Sequence, residues 1–117
     1  IMSYKVTRRS EAVAYEAPGH YDMRPTRLHN PGDVNDGRIT VGLSHFLPGG
    51  GCHFGSNALE SIYYVLAGEM DLTTDDGTTT LHAGDSFHCG PGTQKAIQNN
   101  GPVSCQMLVI LTRPEQA

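Results

Sequence analysis

Glycine and proline turns divide residues 38–112 into short segments, and this punctuation constrains the fold more than any other feature of the chain. RITVGLSHFL (38–47) runs into Pro48-Gly49-Gly50-Gly51, and SIYYVLA (61–67) is closed by Gly68. EMDLTT (69–74) and TTTLH (78–82) flank Asp75-Asp76-Gly77, a hairpin signal. SFHC (86–89) lies between Ala83-Gly84-Asp85 and Gly90-Pro91-Gly92, and a strand over 93–99 leads through Asn100-Gly101-Pro102 to VSCQMLVILT (103–112). The segments alternate or are β-branched and aromatic, and none holds a 3.6-residue apolar period over ten residues. The pattern predicts an all-β sandwich or barrel with no substantial helix.

The residues ahead of this region read differently. YKVTRRSEAVAYE (4–16) has room for one or two short strands. Residues 17–37 interleave Pro18, Gly19, Pro25, Pro31, Gly32 and Gly37 with Asn30, Asp33, Asn35 and Asp36. That density of turn formers predicts an arm wrapped over the surface, extended in pieces at most. The expected organisation is a single domain over 1–117, with an arm over 2–37 and a barrel core over 38–112. A net charge of -4 without a basic run argues against nucleic acid as a partner. No apolar run approaches the roughly 18 residues that span a bilayer, so no membrane partner is expected. Cys52, Cys89 and Cys105 are an odd number without a CxxC pair, which favours a reducing, cytoplasmic setting over a disulfide framework.

PGGGCHFGSNALESIYYVLAGE (48–69) and AGDSFHCGPGTQKAIQN (83–99) resemble the two conserved motifs of the cupins. The blocks cover about a third of the chain, and the framework residues Gly49–Gly51, Gly68, Gly84, Pro91, Gly92 and Asn99 match. The resemblance implies a double-stranded β-helix, a small jelly-roll barrel, with a cavity between its sheets. It also implies positions for metal ligands, and there this chain departs from the family. The family spacing puts His53 at the first histidine, Gly55 at the second, Ser61 at the glutamate and Lys95 at the third histidine. A divalent transition metal needs three or four N, O or S donors. Glycine offers no side chain, serine is a poor ligand, and an ammonium is repelled by a cation. The expectation is therefore no metal and no cofactor. A rearranged site would have to draw on His45, Glu60, His82, His88 and Cys52.

Strand parity assigns His45, His53, Ser61, Tyr63, Lys95 and Cys89 to the cavity, and an inward Lys95 needs a partner, either Glu60 or an anionic ligand. Parity also turns Glu60 and His88 outward unless a bulge intervenes. Lys95 is one of two lysines in the chain. A neutral imidazole is a base near pH 7, a phenol stabilises a developing oxyanion, and an inward lysine needs an anion. The favoured reading is metal-independent acid–base chemistry of the isomerase, lyase or dehydratase type on a small oxygenated or carboxylated metabolite. In it, His53 is the acid/base, Lys95 the anchor and Tyr63 the oxyanion donor. His45, Ser61, Glu60 and Cys89 are candidate ligand contacts. A non-catalytic ligand-binding or sensing cupin is the second reading, and a metal-dependent dioxygenase-like cupin with rearranged ligands the third. The resemblance further implies a homodimer. Arg8, Arg9, Arg24, Arg27 and Arg38 all precede the motifs, where they serve either a subunit interface or the cavity mouth.

Overall fold

The computed structural model describes residues 3–112, which are all-β, as the turn pattern predicts, and form the double-stranded β-helix that the resemblance implies. Nine strands lie among the described residues: β1 (Val13–Ala14), β2 (His20–His29), β3 (Ile39–Gly55), β4 (Glu60–Ala67), β5 (Glu69–Thr74), β6 (Gly77–His82), β7 (Ser86–Cys89), β8 (Lys95–Gln98) and β9 (Cys105–Thr112). Two 3-10 turns, Arg9–Glu11 and Pro31–Asp33, are the helical content of the described residues. The strands hydrogen-bond in the order β6-β5-β8-β3-β9-β4-β7, with β2 laid along β3 and β1 paired to β2.

The 17-residue β3 organises the barrel. Its first part pairs with β9 from Ile39↔Thr112 to Phe46↔Cys105, and its last part pairs with β8 from Gly51↔Gln98 to Gly55↔Lys95. One strand thus belongs to both layers, and the core sits between them. Phe46, Val65, Met70, Cys105 and Met107 are at most 1% exposed there. Alternate residues of β4 (Ser61, Tyr63, Val65) are buried while Glu60, Ile62, Tyr64 and Leu66 face out, the period-2 pattern of a strand with one wetted face.

Two sequence expectations need correction. Pro48-Gly49-Gly50-Gly51 does not end a strand; β3 runs through it. The glycines serve close approach of backbones: a Cβ on Gly51 would collide with the Ile97 carbonyl, and one on Gly50 with that of Asp22. Residues 20–29, read as surface arm, form a ten-residue strand that pairs with β3 from His20↔Cys52 to His29↔Val41. The turn formers cluster at its two ends, and Pro25 sits inside it, where the composition masks a strand.

Asn99, the last framework residue of the second motif, ties the halves together. It is fully buried, and its amide donates to the Phe46 and Val103 carbonyls at 3.2 and 2.9 Å. Its side-chain oxygen accepts from Gly101 N–H at 3.0 Å. Its backbone exchanges hydrogen bonds with Gly49 and Gly50.

Candidate functional site

Beneath the β3–β8 end of the barrel lies a cavity of about 450 Å³. Its floor comes from Tyr63 on β4, Ile97 on β8 and Leu111 on β9, and its wall from Cys52, His53 and Gly55 on β3 and Lys95 on β8. Register explains the grouping. Gly55 and Lys95 are opposite one another across β3–β8, so the lysine extends beside a residue with no side chain of its own. Its Nζ stands 5.0 Å from the centre of the Tyr63 ring, a cation–π contact. Tyr63 in turn stacks on Phe87 with ring centres 4.5 Å apart, which holds the phenol in place from behind. The ring of His53 rests against Tyr21 at 4.7 Å, and its backbone N–H donates to Gly19 O at 2.9 Å. Cys52 also faces the cavity. Its thiol donates to His53 O at 3.4 Å, and burial raises its pKa against the opposing pull of the Lys95 charge.

The cavity therefore brings His53, Tyr63 and Lys95 together. Four other candidates go elsewhere. His45 faces the outside of β3, beside Arg9 and Arg24. Counting parity from the glycine motif fails there because Gly49, at φ +88°, and the irregularity between Cys52 and Gly55 interrupt the alternation. Ser44 and Phe46 are the buried residues, so His45 between them points away. Glu60 also faces out and pairs with His88 Nε2 at 2.5 Å rather than with Lys95. Ser61 and Cys89 oppose one another across β4–β7, buried in the wall and not lining the cavity. The Ser61 hydroxyl has no hydrogen-bond partner among the described residues.

The N-terminal region completes the mouth, which motif reasoning missed. Tyr15, Glu16, His20 and Arg27 line it, with the Arg27 guanidinium 4.4 Å from the centre of the Tyr15 ring. Alternation along β2 would not have found them: Tyr15 and Glu16 precede the strand, and His20 and Arg27 stand at opposite parity across the irregularity between Tyr21 and Met23. The lining thus holds two permanent cations, two imidazoles and one carboxylate, Glu16.

The residues present do not fit the divalent metal that the fold family implies. The four family positions carry His53, Gly55, Ser61 and Lys95, and the last extends a cation into the space. No three His, Cys, Asp or Glu side chains gather among the described residues. No helix of the described residues is long and apolar enough to cross a membrane.

Comparison with known proteins agrees with this architecture. The family model described as "Cupin domain" matches residues 42–111. A Mycobacterium tuberculosis protein named β-D-galactosidase is 34% identical over 110 residues, spanning 94% of this chain and 95% of that one. Among solved structures, the polyketide cyclase RemF of Streptomyces resistomycificus superposes with a TM-score of 0.81 at 22% identity, over 93% of this chain and 79% of that one. A sugar phosphate isomerase of the cupin superfamily from Silicibacter pomeroyi superposes at 0.71 with 20% identity, over 87% of this chain and 69% of that one.

Proposed function

The chain belongs to the cupin family, and from that premise we propose that its cavity performs metal-independent acid–base chemistry on a small, oxygen-rich, anionic metabolite. The observation that carries this reading is the convergence of His53, Tyr63 and Lys95 in one cavity whose volume suits a ligand of metabolite size. Lys95 and Arg27 attract and orient a carboxylate or phosphate group. The neutral His53 imidazole removes a proton from the carbon next to a carbonyl. The electron pair of that C–H bond moves onto the carbonyl oxygen, and Tyr63 donates a hydrogen bond to the resulting enolate. Where that carbon carries a hydroxyl, the intermediate is an enediolate; passing the hydroxyl proton to the former carbonyl oxygen and returning the abstracted proton to the former carbonyl carbon forms the carbonyl at the neighbouring position and isomerises the substrate. Expelling a β-hydroxyl, protonated by the imidazolium, releases water and leaves a double bond. Both outcomes balance without an external oxidant or metal.

The test is proton exchange in heavy water. Purified protein is incubated with a panel of hydroxy and keto acids and sugar phosphates, and deuterium incorporation next to the carbonyl is followed by NMR. Exchange that is lost in His53→Ala supports the reading. Binding without exchange across the panel, seen as ligand-induced thermal stabilisation, would replace it with the second reading, a non-catalytic ligand-binding cupin. One observation favours that alternative: the His53 ring packs on Tyr21, and among the described residues no carboxylate pairs with it. A chromogenic β-galactoside belongs in the panel because of the galactosidase-named relative. Glycosidases ordinarily use two facing carboxylates, and Glu16 is the one carboxylate among the described lining residues.

We also propose a homodimer in a reducing compartment. Ile62, Tyr64 and Leu66 on the outer face of β4 are 39–42% exposed, an apolar stripe suited to a second copy of the chain. All three cysteines are free, which suits a reducing cytoplasm.

A further inference from the structure

On the opposite side of β3 from the cavity, the 3-10 turn Arg9–Glu11 lies over β2 and β3 and leaves a depression of about 400 Å³. Its charged and titratable lining is Arg9, Arg24 and His45. Arg24 and His45 are register partners across β2–β3, so their side chains stand next to one another on one face. On the other flank His45 is paired with Gln106 of β9, which is neutral. Thus the groups facing the imidazole among the described residues are two guanidinium-bearing side chains and an amide, with no acid. The nearest acid in sequence, Glu11, is turned away: its carboxylate accepts from Arg8 N–H at 2.7 Å and lines a separate depression. Thr26, at the base, is already engaged, donating to Leu43 O at 2.7 Å.

Gathering like charges around a half-buried imidazole costs free energy unless something negative offsets it. Burial, followed by the Arg9 and Arg24 charges, holds the His45 pKa below 6.5. Both arginines are exposed to solvent, so an ion from solution reaches them without rearrangement. We propose that Arg9, Arg24 and His45 form a second binding site, on the outer face of the barrel, for a small oxyanion carrying a phosphate or carboxylate group. The arginines supply forked donors that match either group. A protonated His45 adds a third donor, so affinity rises as pH falls through the imidazole titration, and bound anion moves that titration upward. Because Arg9 belongs to the N-terminal segment and the other two to the sheet, the anion also bridges that segment to the barrel.

The test is NMR of the His45 ring while inorganic phosphate, and separately succinate, is titrated at constant ionic strength held with chloride. A saturating shift with a raised His45 titration midpoint is expected for phosphate, succinate or both; whichever saturates identifies the group recognised. Slower hydrogen exchange at the amides of residues 9–11 should accompany it. Arg9→Gln and Arg24→Gln are each expected to weaken binding about tenfold, the size of one charged hydrogen bond. Lys95→Ala, in the cavity, should leave it unchanged, which separates this site from the proposed active site. A linear, non-saturating shift would overturn the proposal, as would saturation that survives the double arginine variant or is lost in Lys95→Ala. Circular dichroism of all the variants establishes that they remain folded; Arg9 and Arg24 are exposed and Lys95 is half-buried.

Discussion

Lys95 decides more about this cavity than any other residue. It stands where the family resemblance implies a metal-binding histidine, and it lies over the Tyr63 ring in place of an acid. Lys95→Met should therefore keep the fold and lose anionic ligand. We expect affinity measured by calorimetry to fall about tenfold or more, with the denaturation midpoint unchanged or raised. Cys105 gives a second prediction. Burial, with a smaller push from Glu69, raises its thiol from 9.0 to about 11. The folded state thus holds this proton more tightly than the unfolded chain does. The associated stability is complete below pH 9.0 and is lost as pH rises toward about 11. Urea midpoints of wild type should fall across that window, and Cys105→Ala should lack that part of the decline. At this scale motif spacing and strand parity put His53, Tyr63 and Lys95 on the cavity lining, where they lie. His45 was misplaced, because parity does not carry across a positive-φ glycine. Arg27 was legible only as one of five arginines open to an interface or the cavity mouth, because nothing local announces that a side chain 68 residues before Lys95 shares its cavity.

Among the elements, β3 shows what a composition rule hides. Glycine suggests a turn when only the chain around it is considered, but in Gly50 and Gly51 it permits neighbouring backbones to close in. Gly51→Ala should push β3 from β8 and cost about 2 kcal/mol or more in urea denaturation, while Gly90→Ala, in a turn with open space around it, should cost much less. Asn99→Leu should be comparably damaging, since it strands the Phe46 carbonyl and the Gly101 N–H inside the protein and loses the part-buried bond to Val103 O. The strands from β4 onward were legible because each pairs a clean pattern with a turn signal. The strand β2 was obscured by Pro25 and by its polar outer positions, His20, Asp22 and Arg24, whose role depends on β3 lying alongside.

For the whole molecule, the outer stripe of β4 predicts the assembly. Light scattering on a sizing column should give twice the 12.6 kDa chain mass, and Ile62→Glu with Tyr64→Glu should return it to one. A wild-type monomer at high concentration would sink the homodimer. The position of β9 has a separate consequence, for the order in which the protein comes into being. This strand is the last of the nine in sequence, yet it occupies the middle of the sheet between β3 and β4. A ribosome-bound chain that ends before Cys105 has two open strand edges facing each other across an empty lane, with Phe46 and Val65 flanking it. Nothing synthesised earlier can fill that lane, since Ile39 must wait for Thr112. Folding is therefore delayed until translation of this region is nearly complete, and the interval is when the chain is most exposed to pairing with a neighbour.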